Sequence, residues 1–228
     1  MFKRAFDIAA ATLAILVLSP LLVPVMIALR LTGEGEVFYL QERIGRGGKP
    51  FRIIKFATML KNSAVLPGGD ITVANDPRIL PLGGFLRRTK INELPQLFNI
   101  LFGDMSVIGY RPLTPRMAAM FSSAYWNEVG RLRPGLSGIG SIVFRDEERL
   151  LEGVEDRQAF YADAIVPYKA ALELWYASHQ GFLLDMKLIA LTVLAVLRPS
   201  TDATRYFADL PASNGLLAGA RRSAAAQV

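Results

Sequence analysis

The sequence predicts a helix-dominated α/β protein of the monotopic membrane class, whose apolar segment enters and leaves the bilayer on one face. Residues 8–29 carry no charge and are flanked by Lys3, Arg4 and Arg30. The remainder holds few strand-like segments among longer helical patterns. A mean hydropathy of +0.30 is high for a soluble protein.

The uncharged N-terminal segment predicts a proline-kinked, re-entrant helix over residues 1–32. About 20 apolar residues suffice to span a bilayer, but Pro20 and Pro24 each interrupt the helical hydrogen bonds. Ser19 can bond the interrupted turn. Cations at both ends give the positive-inside rule no preferred end to translocate. A kinked spanning helix is the main alternative; a signal peptide and a buried core helix are weaker ones.

The rest of the chain predicts one compact domain over residues 33–200 and a partly disordered extension over residues 201–228. The extension is rich in Ala, Gly and Ser. A second apolar stretch, residues 188–197, is too short to span a membrane. It can pack in the core or lie in the membrane interface as an amphipathic helix.

The amino-acid composition excludes several kinds of catalytic and metal-binding site. The chain has no cysteine, which excludes disulfides and thiolate catalysis, and its one histidine, His179, argues against a zinc site or a histidine triad. A net charge of +6 suits an anionic partner: nucleic acid, a phospholipid surface or a phosphorylated substrate.

Local patterns place the polar residues of the central region. Residues 36–39 and 51–55 predict strands joined by a glycine-rich turn that lacks the residues of a phosphate loop. Residues 94–102 predict a helix with Pro95 in its first turn. Asn92 and Glu93 would then precede a helix N-terminus, where negative charge is favoured.

Four motifs occur in order along the chain: Lys-Phe-Ala-Thr-Met at 55–59, Lys-Ile-Asn-Glu-Leu-Pro-Gln at 90–96, Gly-Asp-Met-Ser at 103–106 and Gly-Tyr-Arg-Pro at 109–112. With Arg-Pro-Gly-Leu-Ser-Gly at 133–138, they resemble the bacterial sugar transferases, the small monotopic polyprenyl-phosphate phosphoglycosyl transferases. That family usually has Asp-Glu where this chain has Asn92-Glu93.

The resemblance implies transfer of a phosphosugar from a nucleotide diphosphate sugar, UDP in our expectation, to polyprenyl (undecaprenyl) phosphate. UMP would be released, and exopolysaccharide or lipopolysaccharide assembly would begin. It also implies Mg²⁺ and a location at the cytoplasmic face of the bacterial inner membrane, in contact with phospholipid. A homodimer is left open. Nucleic acid is not an expected partner, because no nucleic-acid-binding module is recognisable.

The resemblance assigns substrate phosphates to Lys55, Arg87, Arg111 and Arg145. Phosphoryl transfer between anions needs positioned cations and a hard metal ion, and arginine suits bidentate phosphate recognition. Without the motif context, each of these residues would be interpreted more simply as a surface or lipid-headgroup cation. Tyr110 replaces a proline of the family pattern and Ala57 an arginine, which bears on nucleotide-sugar specificity more than on fold.

Asn92 is the main departure, because an amide oxygen is a poor nucleophile and binds Mg²⁺ weakly. Glu93 can be metal ligand, general base or nucleophile. Four explanations stand. Glu93 attacks, with Asn92 as a second catalytic residue that orients Glu93 or a phosphate; polyprenyl phosphate attacks directly, activated by Glu93 or the metal; the chain is an engineered trap; or catalysis is lost and binding kept. The neighbouring departures favour a natural subgroup over an isolated lesion. The alternative function is a catalytically silent homologue that binds substrate and regulates or scaffolds a glycan pathway.

Overall fold

The computed structural model describes residues 2–63, 65–66, 76–145, 147–151, 154–198 and 201–213. Within them the protein is a helix-dominated α/β structure. The helices are α1 (Phe2–Leu31), α2 (Pro81–Arg88), α3 (Gln96–Phe102), α4 (Pro115–Ala118), α5 (Ser123–Val129), α6 (Ile139–Val143), α7 (Glu147–Leu150), α8 (Arg157–Phe160), α9 (Val166–His179) and α10 (Phe182–Leu197). The strands are β1 (Phe38–Ile44), β2 (Pro50–Phe56), β3 (Ser106–Ile108) and β4 (Gly135–Ser137).

Helix α1 includes both prolines. Pro20 and Pro24 lie inside it, and the Ser19 hydroxyl donates to the Leu16 carbonyl at 2.8 Å. Thirty residues make a helix of roughly 45 Å. Among the described helices, α1 is the one long and apolar enough to cross a membrane.

The N-terminal half of α1 is fastened to the rest of the protein by buried polar contacts. The Asp7 carboxylate accepts from the Ser106 hydroxyl at 2.8 Å and from the Val107 backbone amide at 3.0 Å. Lys3 forms an ion pair with Asp185 of α10. Charges inside a long apolar helix are stabilised by such partners, which therefore fix α1 against β3 and α10.

The C-terminal half of α1 packs on the same body. Leu22 and Leu29 are buried against Phe56 of β2 and Leu86 of α2. The opposite face of α1 is apolar and uncovered, with Leu13, Leu16, Val17, Leu21, Val23 and Ile27 exposed.

The predicted hairpin is present. Strands β1 and β2 pair antiparallel, with Tyr39 opposite Lys55, and β1 runs further toward the turn than the sequence predicted. The turn itself is a short 3-10 segment, Arg46–Gly48. Asn99 joins α3 to this hairpin, because its side chain accepts from the Ile54 amide at 2.9 Å and donates to the Arg52 carbonyl at 2.8 Å.

A two-stranded parallel pair, β3 and β4, brings the last motif beside the earlier ones. The Gly, Pro and Ser residues at 133–138 are typical of a loop, whereas residues 135–137 form β4. A Cβ on Gly135 would lie 2.1 Å from the Gly109 nitrogen, and a Cβ on Gly109 would lie 2.3 Å from the Arg133 carbonyl oxygen. Only glycine permits this approach, which explains why both motifs contain it.

Helix α10, which contains the second apolar stretch, packs one of its faces in the core. Leu188 and Leu191 are buried in the main core, while Leu183 and Leu197 are largely exposed. The helix also begins six residues earlier than the apolar stretch. Of the C-terminal extension, residues 201–213 are described and contain a 3-10 turn, Ala203–Tyr206; the disorder predicted for its end concerns residues outside the described ranges.

Candidate active site

A cavity of about 530 Å³ lies between the C-terminal end of α2, the segment after β3, and helices α6, α9 and α10. Its walls mix two kinds of side chain. The polar ones are Arg43, Arg87, Lys90, Glu93, Arg111, Arg145, Glu147, Tyr161 and Lys169. The apolar ones include Leu18 of α1 and Ile189, Val193 and Val196 of α10. One space thus borders both a cluster of charges and the two most apolar helices.

A sharp turn presents Glu93 to this cavity. Residues Ile91–Glu93 form a 3-10 turn that precedes α3, and Lys90 before it has φ 61°. Lys90 is the one non-glycine residue with a positive φ among those described. After this turn Glu93 lines the cavity, whereas Asn92 is 6% exposed and does not line it. The Asn92 side-chain oxygen is buried without a hydrogen-bond partner in the described part of the chain.

Glu93 is ionised by its surroundings. An Arg111 guanidinium nitrogen lies 3.6 Å from a Glu93 carboxylate oxygen. Burial opposes ionisation, but the positive charges of Arg111, Lys55, Lys90 and Arg43 outweigh it and lower the pKa of Glu93 to about 2. The cavity therefore holds one fixed carboxylate within an excess of cations.

Lys55 is coupled to the same cavity through its charge. It does not line the cavity, yet its pKa responds to three arginines and one carboxylate that do. Burial and the positive charges of Arg43, Arg111 and Arg87 lower the pKa of Lys55 to about 7, against the opposing effect of Glu93. Its charge therefore changes near neutral pH.

The structure brings most of the predicted site together. Glu93, Arg87, Arg111 and Arg145 all line one cavity. Arg145 comes from the segment between α6 and α7 and donates to the Ala195 carbonyl of α10.

Arg43 was missed by the sequence analysis, although strand periodicity could have found it. Tyr39 is paired with Lys55, and side chains two residues apart on a strand share a face. Arg43 therefore lies on the same face as Lys55. Its guanidinium donates to the Pro112 carbonyl at 3.0 Å, next to Arg111.

A second missed group lies where α7 and the π-helical turn Tyr161–Ile165 meet α9. The Lys169 ammonium is 2.7 Å from each Glu147 carboxylate oxygen and 3.0 Å from the Tyr161 hydroxyl. Three adjacent acids at residues 146–148 are, as a sequence pattern, typical of a solvated helix start. Residue 146 lies outside the described ranges, and Glu147 is instead paired. Twenty-two residues separate the partners, so no local motif could have revealed them.

Glu173 supports the site from behind Arg111. The Arg111 backbone amide is 3.4 Å from one Glu173 carboxyl oxygen, and the other oxygen has no partner within the described structure. Burial raises the pKa of Glu173 to about 8. A Cβ on Gly140 would lie 2.4 Å from this carboxyl oxygen, so a larger residue there would displace the Glu173 side chain.

The donor set for a metal ion is small. No group of three or more Asp, Glu or His side chains able to hold a metal occurs in the described residues. Glu93 offers one ionised carboxylate. This fits Mg²⁺, which is commonly held by one or two carboxylates with substrate phosphates and water as its remaining ligands.

Comparison with known proteins adds the family context. A sequence model of the family described as "Bacterial sugar transferase" matches residues 1–199. The chain is 35% identical over 202 residues to the exopolysaccharide production protein PSS of Rhizobium leguminosarum bv. phaseoli, covering 86% of this chain and 96% of that protein.

Two further relatives carry enzyme names. UDP-glucose:undecaprenyl-phosphate glucose-1-phosphate transferase of Escherichia coli is 34% identical over 198 residues, which cover 85% of this chain but 39% of that protein. A putative undecaprenyl-phosphate N-acetylgalactosaminyl 1-phosphate transferase of Bacillus subtilis is 42% identical over 127 residues, covering 56% of this chain and 68% of the other. The chain thus spans nearly all of one relative and only part of the larger ones.

Proposed function

Because the chain belongs to the bacterial sugar transferase family, we propose that it transfers a phosphosugar from a UDP-sugar to undecaprenyl phosphate and releases UMP. This reaction would start the assembly of an exopolysaccharide. The observation that carries the proposal is the placement of Glu93 among cations in a cavity whose wall also includes apolar side chains of α1 and α10.

The two kinds of wall match the two substrates. A nucleotide diphosphate needs the cations contributed by Arg43, Arg87 and Arg111. A polyprenyl phosphate needs an anion site next to an apolar surface, and α1 and α10 provide that surface with Leu18 and Val193. The cations converge on a cavity, which suits small phosphorylated substrates. A nucleic-acid binder would instead be expected to carry a continuous stripe of basic residues.

Glu93 is the catalytic carboxylate in this proposal. It attacks the phosphorus that carries the sugar, the bond from that phosphorus to the bridging oxygen breaks, and UMP leaves. A phosphate oxygen of undecaprenyl phosphate then attacks the same phosphorus and restores the carboxylate. A carboxylate with a pKa near 2 is a weak general base at neutral pH, so nucleophilic attack suits Glu93 better than proton removal.

The cations have defined duties during this transfer. Arg111 offsets the charge of Glu93, which lets the carboxylate approach an anionic diphosphate. Arg87 and Arg43 offer donors to the phosphate oxygens. Mg²⁺, when bound through Glu93, would neutralise further phosphate charge. Asn92 is buried and does not line the cavity, so it does not contact the diphosphate in this arrangement.

We further propose that the protein is monotopic, with α1 re-entrant at the cytoplasmic face of the inner membrane and α10 lying in the phospholipid interface. Both halves of α1 contact one body, through Asp7 and through Leu29, and the uncovered faces of α1 and α10 are apolar.

A homodimer is an additional proposal, to be tested by sedimentation in nanodiscs.

Cysteine labelling tests the topology, and the chain contains no cysteine to interfere. Single cysteines at Phe2 and Thr32, at opposite ends of α1, should both react with an impermeant thiol reagent only after the cytoplasm is opened. Labelling of one of them from the periplasm would refute the re-entrant arrangement.

Release of UMP tests the activity. Protein in nanodiscs is incubated with undecaprenyl phosphate, Mg²⁺ and a panel of UDP-sugars, and UMP is measured together with lipid-linked sugar. Both products should form in equal amounts with at least one donor. The enzyme names of the relatives give no support to a catalytically silent homologue. Silence with every donor, with binding of UDP retained, would nevertheless establish that alternative.

A further inference from the structure

The cavity has a second polar end, formed by Glu147, Lys169 and Tyr161, which the transfer chemistry leaves unused. The Lys169 ammonium donates to both Glu147 oxygens and to the Tyr161 hydroxyl. It also lies 5.1 Å from the centre of the Phe144 ring and 5.0 Å from that of Tyr161. An ammonium has three donors, so these contacts hold Lys169 in one position.

The charge of this end differs from that of the Glu93 end. Among the described residues, the Lys169 cation offsets the Glu147 carboxylate here, whereas Glu93 faces Arg43, Lys90 and Arg111. Phosphate groups are drawn to an excess of positive charge. The neutral end has little attraction for phosphate and is left for an uncharged part of the donor.

The neutral end has the groups that recognise a sugar ring. A carboxylate has about four lone-pair positions, and Lys169 occupies one on each oxygen of Glu147. The Tyr161 hydroxyl also bonds Glu147. The Glu147 side chain is 24% exposed and lines the cavity, so a position not used by Lys169 or Tyr161 is available to a hydroxyl donor. Phe144 and Tyr161 border the same end, and because both rings are buried with the Lys169 ammonium over them, they fix the position of Lys169.

The two ends are close enough to hold one molecule. Arg111 lies 3.6 Å from Glu93, and the charges of both Glu93 and Glu147 raise the pKa of Arg111, so Arg111 is near both acids. In a UDP-sugar the ring is joined directly to the second phosphate. A diphosphate beside Arg111 would thus place its sugar toward Glu147.

We propose that Glu147, positioned by Lys169 and backed by Tyr161 and Phe144, binds the hydroxyl or acetamido groups of the transferred sugar and selects among UDP-sugars. This inference rests on the proposed transferase function and names the part of the same cavity that distinguishes one sugar from another. A site built to bond a substrate hydroxyl discriminates strongly against a donor that lacks it, because a buried polar group is then left unpaired.

The test compares Glu147→Gln with the unaltered protein, using UDP-glucose, UDP-galactose, UDP-N-acetylglucosamine and UDP-N-acetylgalactosamine. The ratio of kcat/KM between the best donor and its C4 epimer should change by about tenfold or more. Inhibition by UDP, which has no sugar, should stay within about twofold. The control is Glu36→Gln, which breaks the exposed pair with Lys61 and should change neither quantity.

Each outcome has a defined meaning. If kcat/KM falls by one common factor for all four donors, Glu147 is only structural and the inference is overturned, while the transferase function stands. If the unaltered protein is silent with every donor, the transferase function fails and the inference fails with it. Should Glu147→Gln not fold, Glu147→Asp keeps the charge but withdraws the carboxylate from the cavity, and the same change in donor ratio is expected.

Discussion

The two ends of the cavity share one space but are built differently. The end around Glu93 comes from neighbouring motifs and carries an excess of positive charge. The end around Glu147 pairs two residues that lie outside the family motifs, and among the described residues Lys169 offsets the charge of Glu147. We infer that the first end carries the chemistry common to phosphosugar transfer and the second the choice of sugar. Changes at the two acids should therefore have different consequences.

The largest expected effect is at Glu93. Glu93→Gln keeps the size of the side chain but removes the charge and the nucleophile, so turnover should fall by at least about 10³-fold with every donor. This contrasts with Glu147→Gln, which should retain turnover with some donors. The measurement is release of UMP over the donor panel. Substantial activity in Glu93→Gln would show that another group attacks phosphorus.

Asn92→Asp is the matched variant at the neighbouring position. It restores the acid usual in the family and adds a charge to a side chain whose oxygen has no hydrogen-bond partner among the described residues. Cations around Glu93 can offset that charge, so turnover should be preserved or raised. A loss comparable to that of Glu93→Gln would mean that the amide itself is required.

A smaller effect is expected at Lys55, which titrates near neutral pH and belongs to the Glu93 end, called the cationic end below. With a pKa near 7, Lys55 is mostly neutral at pH 8 in the free protein. Binding of UDP brings negative charge, which raises the pKa of Lys55 and draws in a proton. Calorimetry at pH 8 in buffers of different ionisation enthalpy should show proton uptake, at most about one per site.

Lys55→Arg is the control for that measurement, because arginine stays charged throughout this range. UDP should bind to this variant without the extra proton. Equal uptake in both proteins would show that another group titrates.

The last prediction concerns Glu173, which lies behind Arg111 and should affect the stability of the protein rather than either end of the cavity. Its pKa is raised to about 8, so the folded state holds a proton that the unfolded chain releases above about pH 4.5. Stability should therefore fall as pH rises from about 5 to 8, by an amount on the order of a few kcal/mol. Glu173→Gln should weaken that dependence, measured by thermal unfolding at both pH values, whereas Glu36→Gln should not. An unchanged slope would show that Glu173 is ionised when folded.

Much of the cationic end could be predicted because its residues lie in short motifs. Short motifs that can be recognised locally contain Asn92, Glu93, Arg111 and the glycines of residues 103–109. The uncharged apolar segment likewise predicted α1. Sequence alone did not show that the Asn92 side chain is buried and that Glu93 lines the cavity. That depends on the left-handed conformation of Lys90, which no residue pattern requires.

The neutral end could not be predicted, for physical reasons. The Glu147–Lys169 pair is formed by packing α7 against α9, and its partners give no periodic signal. Strand β4 was missed because three residues pair only when Gly109 and Gly135 allow two backbones to meet. Such contacts are consequences of the fold rather than of local propensity.

The most direct test of the account is a single-turnover reaction without undecaprenyl phosphate. The unaltered protein, mixed with an excess of its UDP-sugar and Mg²⁺, should release close to one UMP per active site and retain the phosphosugar on a peptide that contains Glu93. Glu93→Gln should give no burst. Release of UMP only after undecaprenyl phosphate is added, or a phosphosugar found on another residue, would contradict the assignment of Glu93 as the attacking group.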